Sequence, residues 1–212
     1  NGDSNVAIGA NSNYKNKTLT TFSNTTAVGF SSYAGGAGAV AIGSEALTSS
    51  SDAIAIGHGS QADGESSIAI GSVAETADTI ASGVRSIAIG DGAVAASSDT
   101  IAIGTYAKAS KGSLAIGNIS LMNVSSGEYN TAFGNISLTS NTSGDNNSAF
   151  GEGSLYSNTY GSNNVGVGYN SLRNASGGSN NTALGSNACI NVTGSNKTCI
   201  GANSGPEYGN SW

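Results

Sequence analysis

Apolar residues recur along this chain as a five-residue phrase, Ser67-Ile-Ala-Ile-Gly71, with versions running from Val6-Ala7-Ile8-Gly9 to Thr198-Cys199-Ile200-Gly201. Taking the glycine as anchor, copies stand at Gly9, Gly29, Gly43, Gly57, Gly71, Gly90, Gly104, Gly117, Gly134, Gly151, Gly168, Gly185 and Gly201. The interval is mostly 14 residues before Gly117 and mostly 17 after it. Alternating β-branched segments of this kind form short strands. A fixed interval makes each repeat a unit that buries its apolar face only by stacking on its neighbours. The expectation is an all-β chain, a parallel β-solenoid of about 13 coils spanning residues 1–212 as one body. It divides into an irregular first coil (1–28), 14-residue coils (29–117), Asn-rich 17-residue coils (118–205) and a tail (206–212) that holds Pro206 and Trp212.

A second strand is predicted three to five residues past each glycine. Small residues recur there around a variable one: Ala46 and Thr48, Ser60 and Ala62, Ala74 and Thr76, Ala93 and Ala95, Ala107 and Ala109. The residues between them, Leu47, Gln61, Glu75, Val94 and Lys108, are mostly polar. The small pair is therefore expected inside the coil and the middle residue in solvent. The first strand is apolar on both faces, with Ile54 and Ile56 on one and Ala53 and Ala55 on the other, and such a strand must be covered on both. The isoleucines are expected to fill the coil, and the small alanines to pack closely against another copy of the chain.

After Gly117 three columns repeat at 17 residues: Leu121, Leu138, Leu155, Leu172; Gly127, Gly144, Gly161, Gly178; and Asn130, Asn147, Asn164, Asn181. The glycines are expected to supply positive φ at a tight corner, and the asparagines to form a ladder of stacked amides. The three extra residues of each longer repeat fall after the second strand, so they should project from one edge, where decoration or recognition would sit.

Composition narrows the function classes. Charged residues are 9% of the chain, and the formal charge of −6 leaves only seven Lys and Arg, spread out rather than striped. That pattern argues against nucleic acid as a partner. No apolar run approaches the roughly 20 residues that span a bilayer, so membrane insertion by a helix is not expected. No nucleophile motif, phosphate loop or recurring carboxylate pair appears, so neither an enzyme nor a cofactor is expected. His58, the single histidine, reads as a surface residue because no ligand partner shares its spacing. Gly35-Gly-Ala-Gly38 lacks the acid of a calcium-binding roll.

Cys189 falls in the leucine column and Cys199 in the central alanine column, ten residues apart, where a disulfide would tie down the last coils. Eleven Asn-x-Ser/Thr sequons occur, including Asn16. Asn141 and Asn174 are placed in projecting corners, and Asn135 and Asn191 are further candidates for glycosylation.

Ser67-Ile-Ala-Ile-Gly71, Ser86-Ile-Ala-Ile-Gly90 and Thr100-Ile-Ala-Ile-Gly104, each followed by a small-x-small segment, resemble the head repeats of trimeric autotransporter adhesins of the YadA type. The resemblance implies a left-handed parallel β-roll, three chains side by side, and adhesion to host or matrix surfaces. Asn130-Thr-Ala-Phe-Gly134 and its later copies are similar to repeats of tail-fibre-like and cell-surface proteins. The leading expectation is an extracellular structural and adhesive fibre segment that associates with itself and meets a surface protein or glycan. A head-to-tail filament and an ice-binding solenoid on the Thr131 and Thr182 row are the alternatives.

Overall fold

The computed structural model describes residues 4–15, 18–19, 22–73 and 77–205. Ala74, Glu75, Thr76, Pro206, Trp212 and Asn16, all named above, lie outside the described residues. The chain forms two compact units, Asn1–Tyr106 and Ala107–Trp212.

In the first unit the Ile-Ala-Ile phrases are strands Thr26–Val28, Val40–Ile42, Ile54–Ile56, Ile68–Ile70, Ile87–Ile89 and Ile101–Ile103, preceded by Val6–Ile8. Each pairs in parallel with the next copy in chain order, in the register of the repeat: Val40 on Ile54, Ala41 on Ala55, Ile42 on Ile56. The expected second strand is present as Tyr33–Ala34, Leu47–Thr48, Gln61–Ala62 and Val94–Ala95, again parallel; in the coil after Gly71 the strand that pairs in this wall is Ile80–Ala81, nine residues past the glycine, rather than the expected Ala74–Thr76. Parallel pairing between successive turns on two walls defines a β-solenoid. A short antiparallel pair, Tyr14–Lys15 with Thr18–Leu19, fills part of the long first excursion.

The core is made of small residues. Ala27, Ala41, Ala55, Ala69, Ala88 and Ala102 of the first wall are fully buried, as are Ala34, Thr48, Ala62, Ala81 and Ala95 of the second. Leu47, Gln61, Val94 and Lys108 are half-exposed between them, so the small pairs do point inward. The first wall is oriented opposite to expectation: its alanines face the interior and its isoleucines face out. Ile42 and Ile56 remain 38% and 36% exposed. With Ala, Ser and Thr on the opposite wall, the gap inside a 14-residue coil matches a methyl group, and a column of isoleucines would force the walls apart.

Anchor glycines turn the chain out of each first-wall strand. Gly43 has φ +133°, and a Cβ there would lie 2.5 Å from the Gly57 carbonyl oxygen of the next coil, so backbone conformation and close stacking both exclude a side chain.

The second unit has first-wall strands Leu114–Ile116, Thr131–Phe133, Ser148–Phe150, Val165–Val167, Thr182–Leu184 and Thr198–Ile200, paired in parallel at the repeat register. Beyond Lys108–Ala109 no second-wall strand recurs among the described residues. Turns replace it, contrary to the expectation of two strands per coil throughout. Leu121, Leu138, Leu155 and Leu172, all fully buried, sit there in the left-handed region with φ of 51°, 49°, 53° and 52°. The longer perimeter encloses more volume, and leucine and asparagine side chains fill it.

Two expectations for this unit are corrected. Gly127, Gly144, Gly161 and Gly178 lie outside the left-handed region; the positive φ falls two residues later, at Tyr129, Asn146, Asn163 and Asn180. These glycines serve close approach instead: a Cβ on Gly127 would sit 2.6 Å from the Gly144 carbonyl oxygen. The extra residues also do not simply project, because Asn141 and Asn158 turn their side chains fully inside.

Candidate functional site

Strand alternation puts two columns of side chains on the outer face of each first wall. In the first unit they are Thr26, Val40, Ile54, Ile68, Ile87, Ile101 and Val28, Ile42, Ile56, Ile70, Ile89, Ile103, stacked in register. All are half-exposed or exposed, and no member carries a charge. An isoleucine gains about 1.5–3 kcal/mol on full burial, so covering its remaining third contributes on the order of 0.5–1 kcal/mol. Nine isoleucines on one face are enough to drive association.

The second unit keeps one apolar column: Ile116, Phe133, Phe150, Val167, Leu184, Ile200. Phe133 and Leu184 are each 50% exposed, and the Phe133 and Phe150 rings stack with centroids 6.5 Å apart. The other column, Leu114, Thr131, Ser148, Val165, Thr182, Thr198, is in register but mixed, so Ser148 and Val165 interrupt the threonine row.

Beneath this face the asparagine ladder forms as expected. Asn147 Nδ2 donates to Asn130 Oδ1 at 3.1 Å and Asn164 Nδ2 to Asn147 Oδ1 at 3.1 Å. Asn130, Asn147 and Asn164 Oδ1 also accept the backbone N–H of Asn147, Asn164 and Asn181, respectively, at 2.9 to 3.0 Å. A second pair was not anticipated: Asn158 Nδ2 donates to Asn141 Oδ1 at 3.3 Å, and each amide also reaches the glycine carbonyl of its own corner. Their 17-residue separation was the available signal.

Asn141 is therefore no acceptor for a glycan in the folded chain, because its carboxamide is enclosed and bonded to Gly144. Asn135 and Asn174 are exposed and Asn191 is half-exposed, with Asn174 Nδ2 donating to Asn191 Oδ1 at 2.7 Å. Cys189 and Cys199 are joined in a disulfide, Cα atoms 5.7 Å apart. Cys189 shares the left-handed φ of the leucine column, and Cys199 pairs with Ala183. His58 is exposed 3.9 Å from Glu45. Among the described residues no three His, Cys, Asp or Glu side chains cluster as metal ligands.

Ion pairs link adjacent coils at the repeat interval. Arg85 forks onto Asp99 at 2.7 and 2.8 Å, and these hydrogen bonds hold the Asp99 carboxyl below its ordinary range and raise Arg85. Lys111 donates to Glu128 at 3.0 Å, which raises its own pKa.

Three segments, residues 23–46, 49–74 and 81–107, match the YadA head domain repeat. These YadA-type segments are the coils whose outer face carries the double isoleucine column. The matched segments end at residue 107, so the likeness of the 17-residue coils to tail-fibre repeats is not shown. No curated protein matches the chain. No helix among the described residues is long and apolar enough to cross a membrane.

Proposed function

We infer that the chain is a segment of an extracellular adhesive fibre, displayed at a cell or virion surface, in which copies pack side by side through the outer isoleucine face. The observation that carries this reading is the uncharged double column from Val40 to Ile103 standing outside a closed core. A solenoid whose interior is already filled by alanine has no internal use for those isoleucines. A second copy presenting the same face covers them most economically, since most soluble oligomers are symmetric assemblies of one chain. The matched YadA head repeats support the surface-fibre role and a trimer as the assembly.

The test is multi-angle light scattering of the purified chain and of Ile56→Asn/Ile70→Asn. The wild type is expected to elute as an oligomer, and the double variant to shift to the monomer with its β spectrum retained. A monomeric wild type at micromolar concentration overturns the reading.

A further inference from the structure

We propose that Arg173, stacked on Tyr156 in the second unit, is the anion-binding element of a site for acidic sugars, the carboxylate of a sialic or uronic acid being its ligand. The guanidinium carbon lies 4.7 Å from the centre of the Tyr156 ring. Nη1 donates to Asn170 Oδ1 at 2.7 Å. Beneath both groups is Gly153, where a Cβ would come within 2.6 Å of that Nη1 and would also strike the Asn170 carboxamide. The equivalent positions of the two preceding coils are Ile119 and Ile136 and of the two following coils Asn170 and Asn187, so among the 17-residue coils this one has a glycine beneath the guanidinium.

Ring, amide and glycine together hold the guanidinium in one orientation before any ligand arrives. A planar fork held this way loses little further freedom when it pairs with a carboxylate. Arg85 and Lys111 each meet an acid, whereas Arg173 has no carboxylate within ion-pair distance among the described residues. Of its five donors only one is committed here, to Asn170. The free edge therefore suits bidentate recognition of an anion.

The surroundings select a sugar over a peptide. Half-exposed amides of Asn170 and Asn187 continue from the guanidinium coil by coil, and Asn187 Nδ2 donates to Asn203 Oδ1 at 3.1 Å. Their spacing of about 4.8 Å is close to the length of one sugar ring, and amides both donate and accept as hydroxyls require. A peptide would need an open sheet edge or apolar side-chain pockets, and this corner is formed of turns. The chain's net charge of −6 opposes anions at long range, so affinity should be modest, about 1–10 mM. This site extends the adhesive reading by naming a ligand class.

The test is saturation-transfer NMR on the full chain with sialyllactose, its neutral parent lactose, and acetate. Sialyllactose should receive saturation on its sialic acid ring, lactose should not, and acetate should bind at least about tenfold more weakly because it lacks the hydroxyls. Arg173→Gln should abolish the sialyllactose signal. Arg173→Lys, which keeps the charge but loses the fork, should weaken it several-fold at an unchanged melting temperature. Equal response to lactose, equal affinity for acetate, or an undiminished signal in Arg173→Gln each overturns the site. The assay is read at any assembly state, so a monomeric chain that binds sialyllactose removes the fibre reading and keeps this one. An oligomer that ignores sialyllactose does the reverse.

Discussion

Asn147→Ala tests whether the buried amide ladder holds the 17-residue coils together. Asn147 is fully buried; its Nδ2 donates to Asn130 Oδ1 and to the Gly161 carbonyl, while its Oδ1 accepts from both nitrogens of Asn164. Most partners have a second bond. Gly161 O still receives Asn158 Nδ2, Asn164 Nδ2 still reaches Gly178 O, and Asn130 Oδ1 still accepts the residue-147 N–H. The Asn164 N–H is the group left without an acceptor, a loss of about 1–3 kcal/mol. The vacated carboxamide volume adds about 1 kcal/mol, giving about 2–4 kcal/mol in all. Serine should halve the loss, since Ser113 Oγ accepts the Asn130 N–H at 3.0 Å from the same column. Solenoids unfold piecewise rather than all at once, so the assay is native-state hydrogen exchange at the Asn164 amide. Protection should fall by about 30- to 1,000-fold in Asn147→Ala, less in Asn147→Ser, and hardly at all in the exposed control Ser143→Ala. Equal protection in the alanine and serine variants, or wild-type protection in both, refutes the ladder as a stabilising element.

Other outcomes follow from the same geometry. Ala69→Leu puts three extra carbons into a coil lined by Ala62 and Ala81 and should cost about 1–3 kcal/mol or more, read as a fall in melting temperature; an unchanged value would mean that the interior is not closed by alanine. Ile136 holds φ +50° where the later coils carry Gly153, Asn170, Asn187 and Asn203, and a β-branched residue is poorly suited to that region. Ile136→Asn should therefore raise stability by about 1 kcal/mol, and a lower denaturation midpoint would contradict the strain argument. Asp99 should titrate below its ordinary 3.8 because Arg85 hydrogen-bonds its ionised form. With the folded value depressed, the pair's stabilisation is present above the unfolded pKa and is lost as pH falls through the folded one. Carbon NMR should show the Asp99 midpoint rising in Arg85→Gln, and an unmoved midpoint would dissolve the pairing.

The repeat interval was legible because a parallel sheet converts it directly into register. Thr131 pairs with Ser148 at 17 residues and Val40 with Ile54 at 14, as the glycine anchors require. The sign of the alternation was hidden. Period two separates Ala55 from Ile54 and Ile56, but both sets are apolar, and the preference of isoleucine for interiors points the wrong way here. Coil width decides it, and that width is a property of two walls together. Gly127 misled for a related reason: glycine is needed both for positive φ and for close approach, and its identity alone cannot tell which. Asn141 looked like a corner residue because it belongs to the inserted stretch, yet its partner Asn158 one coil away marked both as interior.

The two kinds of coil also explain where individual function can reside. In the first unit the first-wall interior is alanine and the outer face is isoleucine and valine with little variation, which suits an interface that must repeat. In the second unit the columns that stack inside, Leu121 to Leu172 and Asn130 to Asn181, hold nearly constant, since each member bonds or packs on its own image one coil away. Positions two and five past the anchor glycine vary from coil to coil, although Asn187 still bonds Asn203 and Thr139 Oγ1 still donates to the Ile119 carbonyl. They read Ile119, Ile136, Gly153, Asn170, Asn187 and Met122, Thr139, Tyr156, Arg173, Ile190. Variation inside an otherwise repeating scaffold needs no structural cause of its own, so these two columns are where one coil can acquire chemistry the others lack. Gly153, Tyr156 and Asn170 converge on the Arg173 guanidinium from these columns alone, and that convergence separates a held guanidinium from the background of half-exposed amides around it.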